Sequence, residues 1–115
     1  MIDDATLGGY QAVHHRAPAF EGADGQPYSA DTFVDEQPDA FGRYGAALLF
    51  LRWVEGGAKP LGHLETDYLA FGDTAEAAVR PLLSLTLQEV KDHLEQLIAT
   101  SPRGLPDGRG ERGEE

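Results

Sequence analysis

Hydrophobic positions concentrate in residues 44–71 and again in 85–98, and the two stretches follow different periods. From Tyr44 to Val54 apolar residues occupy both parities, with Ala46-Ala47-Leu48-Leu49-Phe50-Leu51 at the centre, which predicts a central strand covered at least in part on both sides. Glu55-Gly56-Gly57-Ala58-Lys59-Pro60 reads as a connecting loop and Leu61–Phe71 as a second strand, so the whole stretch predicts a β-hairpin. Pro60 has no N–H to give a ladder, and pairing is expected to begin after it, with Val54 opposite Leu61. That register sets Arg52 opposite His63, Phe50 opposite Glu65 and Leu48 opposite Asp67 on one face. The other face holds Trp53 with Gly62, Leu51 with Leu64, Leu49 with Thr66 and Ala47 with Tyr68. The second set is the more apolar and is expected to be the core face; a slip of one residue would set Glu65 or Asp67 against the core.

Towards the C-terminus the period changes to that of a helix. Thr74 caps a short helix expected to run through Val79; Pro81, which lacks an N–H and collides with the preceding turn, stops it or starts another turn. Thr86-Leu87-Gln88-Glu89 is a capping box, with Leu85 and Val90 placed for the accompanying hydrophobic staple. Leu87, Val90, Leu94, Leu97 and Ile98 then form one apolar stripe, and Lys91, Asp92, Glu95 and Gln96 fall on the wet side. His93 sits near the border of the stripe.

The N-terminal pattern is less regular. Residues 1–9 read as a flexible arm and 10–20 as a short strand ended by Pro18. Asp24-Gly25 marks a turn, and Tyr28, Ala30, Thr32 and Val34 alternate with Ser29, Asp31 and Asp35 as in a half-buried strand. From Ser101 onward Gly, Pro and charge replace any period, so 101–115 reads as a disordered tail. The elements together predict an α+β fold: a small antiparallel sheet of three to four strands with one or two C-terminal helices packed on one face, in a single domain spanning 10–100.

Charge sharpens this picture. The chain has 115 residues, 9 basic and 20 acidic, for a net charge of −11. Such a balance argues against a nucleic-acid binder, whose affinity rests on Lys and Arg neutralising phosphates. Residues 17–42 carry Glu21, Asp24, Asp31, Asp35, Glu36 and Asp39 with no Lys or Arg between Arg16 and Arg43. This segment serves solubility, or offers a docking surface to a basic partner. Carboxylates spaced like phosphates would also allow nucleic-acid mimicry. There is no cysteine, which excludes disulfides, thiolate metal sites and a cysteine nucleophile. No apolar run approaches the roughly 20 residues of a membrane helix, and the acidic start Met1-Ile2-Asp3-Asp4 lacks the pattern of a secretory signal. The expected compartment is the cytoplasm.

Chemistry-bearing residues are sparse. No Gly-rich phosphate loop or nucleophile elbow is present. His63, Glu65 and Asp67 alternate along one strand, and the expected register adds Arg52 across from His63. Such a face suits a small enzyme or a metal- or ligand-binding protein, with Glu65 as base or ligand, His63 as its partner and Arg52 as an anion anchor. The simpler expectation is an Arg52–Glu65 ion pair on a partly covered sheet face. His14-His15-Arg16 adds little, because neighbouring residues on a strand face opposite ways. One long helix cannot cover both faces of the sheet, which leaves Leu48 and Phe50 of the mixed face in need of cover. The chain is therefore expected to be a non-catalytic, acidic interaction module, of accessory, adaptor or inhibitor type, with no cofactor or resident metal. It would dock through Leu48, Phe50, Arg52 and His63, steered by Asp31, Asp35, Glu36 and Asp39. Its partner would be another protein, basic in character, or a homodimer mate, and neither a nucleic acid nor a membrane.

Overall fold

The computed structural model describes residues 4–54 and 59–100; the expected tail 101–115 and most of the 55–60 loop lie outside the described residues. The architecture is α+β: helix α1 (Leu7–His14), strands β1 (Ala19–Glu21), β2 (Pro27–Val34), β3 (Tyr44–Trp53), β4 (Pro60–Glu65) and β5 (Ala70–Gly72), then helices α2 (Ala75–Leu83) and α3 (Leu87–Thr100). The antiparallel sheet has the order β1-β2-β3-β4, with β5 also paired to β3. Beyond Glu65 the chain stays on the same edge of β3. Thr66 N–H donates to Leu48 C=O, the Thr66 hydroxyl accepts from Leu48 N–H, and Leu69 N–H donates to Ala46 C=O before β5 begins. The expected second strand is thus two strands, broken at Thr66–Leu69.

The register of β3 on β4 differs from the expected one by a single residue. Leu64 lies opposite Phe50, Glu65 opposite Leu49, His63 opposite Leu51 and Gly62 opposite Arg52. The cause is local to the hairpin end. Val54 N–H donates to Lys59 C=O, Pro60 sits opposite Trp53, and a bulge at Arg52/Trp53 shifts everything downstream. Pro60 is tolerated as the first residue of its strand.

The core face is also exchanged. Residues directly opposite one another share a face, so Tyr28, Ala30, Ala46, Leu48, Phe50 and Leu64 point the same way. This inner face meets the helices, and Ala46, Leu48 and Phe50 are 0% exposed, in one cluster with Leu7, Ala78, Leu82, Val90 and Leu94. Leu48 and Phe50, expected on the less covered face, are therefore corrected to the centre of the core. No carboxylate enters that core, because face and register change together: Glu65 turns outward beside Leu49, and Asp67 leaves the strand.

The two C-terminal helices follow their sequence signals, with one extension. The capping box forms, Glu89 N–H donating to Thr86 Oγ1 at 3.0 Å and Thr86 N–H to Glu89 Oε1 at 2.9 Å. Val90 and Leu94 carry the buried stripe of α3. α2 continues past Pro81 to Leu83, since only its last turn lies beyond the missing donor. The stretch 10–20, expected as a strand ended by Pro18, is helical in α1 up to His14, and strand begins only after the proline, with β1 at Ala19. Thr6 caps α1 by accepting from Gly9 N–H, and Leu7 is fully buried. Leu7 N–H donates to Leu85 C=O, and Leu87 N–H to Ala5 C=O, so the caps of α1 and α3 are bridged. Gly8 permits this approach: a Cβ there would lie 2.9 Å from Leu83 Cβ.

The sidedness of β3 is directly testable. Truncating Phe50 to Ala should cost about 3–5 kcal/mol of unfolding free energy. Truncating Phe33, 39% exposed on the opposite face, should change stability by only about 0.5 kcal/mol. Urea denaturation of the two variants would reveal the reverse order if the faces were assigned wrongly.

Candidate interaction surface

The buried side chains of the helices cluster with the inner face of the sheet, and at the β2 edge of the outer face α1 makes contact through Gln11, which donates to Asp31. The pairing places on the outer face Ser29, Asp31 and Phe33 of β2, Gly45, Ala47, Leu49 and Leu51 of β3, His63 and Glu65 of β4 and Phe71 of β5. Trp53 joins them, its indole N–H donating to Ser29 Oγ at 2.9 Å. Leu49, Leu51 and Trp53 are half-buried, and Phe33 and Phe71 are exposed.

One end of this face is aromatic. Tyr68 lies against Gly45, where any Cβ would come within 2.7 Å of the ring, so the glycine is what allows Tyr68 to approach the sheet this closely. Tyr68 meets Phe71 edge-on with ring centroids 5.8 Å apart. The Arg43 guanidinium stacks 4.8 Å from the Phe71 centroid and 5.6 Å from that of Phe41. Phe41 itself is 83% exposed. A row Tyr68–Phe71–Arg43–Phe41 thus runs from the sheet onto the loop between β2 and β3.

That loop is held by Asp39. One carboxylate oxygen accepts from Phe41 N–H at 2.8 Å and Arg43 N–H at 3.0 Å, and the other meets the Arg43 guanidinium at 3.2 Å. Gly42 N–H donates to Asp39 C=O, with Gly42 at φ +76°, a left-handed conformation that glycine adopts without strain. The Arg43 N–H, above all, holds the Asp39 carboxyl below the usual carboxylate range; desolvation opposes it, and the Phe41 N–H and the guanidinium add to the lowering. Asp35 is likewise held low, first by the Tyr68 hydroxyl that donates to it and then by Gln37 N–H. The same bond, with Asp35 and Glu65 as negative neighbours, pushes the Tyr68 hydroxyl up.

The residues singled out from sequence are not brought together. Leu48 and Phe50 are in the core. Arg52 lies on the inner face beside Tyr28, opposite in direction to His63 and Glu65, so the expected Arg52–Glu65 pair does not form. His63 Nε2 and Glu65 Oε1 are 4.0 Å apart and solvated. Asp67 is exposed beyond the end of β4. Among the described residues no group of three or more His, Asp or Glu side chains is placed to hold a metal ion. Asp31 takes a hydrogen bond from Gln11 at 3.1 Å and borders a shallow open depression with His15, Arg16 and Ala17. Asp35 and Asp39 order the aromatic end, as described, and Glu36 is exposed beside them. Phe33, Phe41, Arg43, Tyr68 and Phe71 were the residues to look for. The parity of Phe33 with Ser29 and Asp31, and the Asp39…Gly42-Arg43 turn chemistry, were the available signals.

On the inner side, Tyr28 donates to Asp24 at 2.7 Å; burial first and Asp24 second push its hydroxyl far above the ordinary tyrosine range.

Two measurements follow. Because Asp35 and Asp39 are lowered on folding, the stability they contribute is present above the ordinary carboxylate range and is lost as pH falls through their folded values. Acid titration followed by amide exchange should release the loop around Phe41, and Asp39→Asn should flatten the acid-side loss. A loop indifferent to pH would contradict the assignment of Asp39. Thermal-shift assays with Mn, Zn, Ni and Mg should show no stabilisation through His63, Glu65 and Asp67; a shift abolished by His63→Ala would restore a metal role.

Comparison of the chain with protein-family models, with curated proteins and with solved structures gives no match. Among the described residues no helix is long and apolar enough to cross a membrane.

Proposed function

We propose that the protein is a non-catalytic interaction module that docks another protein on the outer face of its sheet. The observation that carries this reading is the concentration of exposed large apolar side chains at one end of that face: Phe33 at 39%, Phe41 at 83%, Tyr68 at 44% and Phe71 at 44% exposure. Single exposed apolar residues are ordinary on a protein surface, but a contiguous patch of aromatics around an arginine has the composition of an interface core. Phe41 is anchored to a fixed turn, so little ordering would be lost on binding. The alternative, a small enzyme built on Arg52, His63, Glu65 and Asp67, lacks the shared face it requires.

Differential capture from the native host tests the reading. Wild type and a Phe33→Ala/Phe71→Ala variant of equal stability are used as baits at low and moderate salt. A protein retained by the wild type, lost with the variant and weakened by salt is the expected result. Identical retention by both baits would end the case for this face.

A further inference from the structure

Resting on that reading, we infer that the outer face takes a segment bearing arginine side chains, received on the open aromatic surfaces of Tyr68, Phe71 and Phe41 between the Asp35 and Glu65 carboxylates. The chain already displays this chemistry on itself. Arg43 stacks on Phe71 and Phe41 while Asp39 balances its charge. A planar guanidinium suits such a site because it stacks on a ring and pairs with a carboxylate at once, which an ammonium does less well.

The Tyr68 end repeats the arrangement with no cation in place among the described residues. The ring rests against Gly45, and 44% of the residue remains exposed. Asp35 touches its hydroxyl, and Glu65 is near enough to bear on the same hydroxyl electrostatically. Asp35 stays ionised because Gln37 N–H and the tyrosine hydroxyl both favour its charged form. Glu65 is solvated, with His63 Nε2 4.0 Å from its Oε1. Charge also selects against a second copy as the occupant. Two outer faces brought together would bring two sets of the Asp31, Asp35 and Glu65 carboxylates into one interface in a chain of net charge −11, whereas a basic segment is attracted by the same groups.

The test uses the full chain and a defined probe: a short synthetic peptide of alternating arginine and leucine, with its lysine counterpart, titrated by two-dimensional NMR. The expected shifts concentrate on Phe41, Tyr68, Phe71, Asp35 and Glu65, and the arginine peptide binds more tightly than the lysine one. Phe41→Ala, remote from the core, should weaken the arginine peptide about two- to fivefold, and Glu65→Gln should weaken it comparably. Equal binding of both peptides would overturn the proposal. So would shifts spread evenly over the Glu76, Glu89 and Asp92 carboxylates of the helices, or peptide-free self-association through the same aromatic residues. If the peptides fail while differential capture still finds a partner that needs Phe33 and Phe71, the docking face stands and the arginine chemistry falls; if both fail, both fall.

Discussion

The structure depends on one asymmetry of β3. Its residues are apolar on both faces, yet the buried side chains of the described helices cluster with only one of them. Ala46, Leu48 and Phe50 close against α2, α3 and the start of α1 in one apolar cluster removed from water. Everything else is arranged around keeping that face supplied. Pairing with β2 adds Tyr28 and Ala30, pairing with β4 adds Leu64, and the bridge between Thr6 and Thr86 brings Leu7 to the edge of the same cluster.

What remains follows from geometry. A strand that alternates must turn its other apolar residues outward, so Leu49, Leu51 and Trp53 are left half-covered beside Phe33. At the β2–β3 end the outer face is finished by aromatic residues and one cation. There the details are specific: Gly45 makes room for Tyr68, Asp35 fixes its hydroxyl, and Asp39 fixes the turn that presents Phe41. These contacts add little to the core. They hold exposed rings in set positions, the arrangement a binding surface needs if its partner is not to bear the cost of ordering it.

Much of the fold was legible from local signals. The capping box Thr86…Glu89, the stripe from Val90 to Leu94 and the Asp24-Gly25 turn depend on neighbours in sequence, and the structure has them where the pattern puts them. The choice of core face on β3 was not legible, since Ala46, Leu48 and Phe50 compete with Ala47, Leu49 and Leu51 at equal hydrophobicity. The tie is broken by a bulge at Arg52/Trp53 and by where the helices land, both of which are tertiary. α1 was hidden because Gly8 and Gly9 weaken its helical propensity; its stability comes from burying Leu7 and from the close approach that Gly8 permits. The candidate surface was half legible: an undercovered sheet face followed from having too few helices, but the residues on it changed with the register.

The most direct measurement of the central claim is the accessibility of each face of β3 in a verified monomer, read by relaxation from a soluble paramagnetic agent. Strong effects on Phe33, Phe41, Tyr68 and Phe71, with Leu48 and Phe50 protected, are the expected result. Phe33, Phe41, Tyr68 and Phe71 as well protected as Phe50 would mean that the chain roofs both sides of its own sheet, and the docking account would have no surface left to act on.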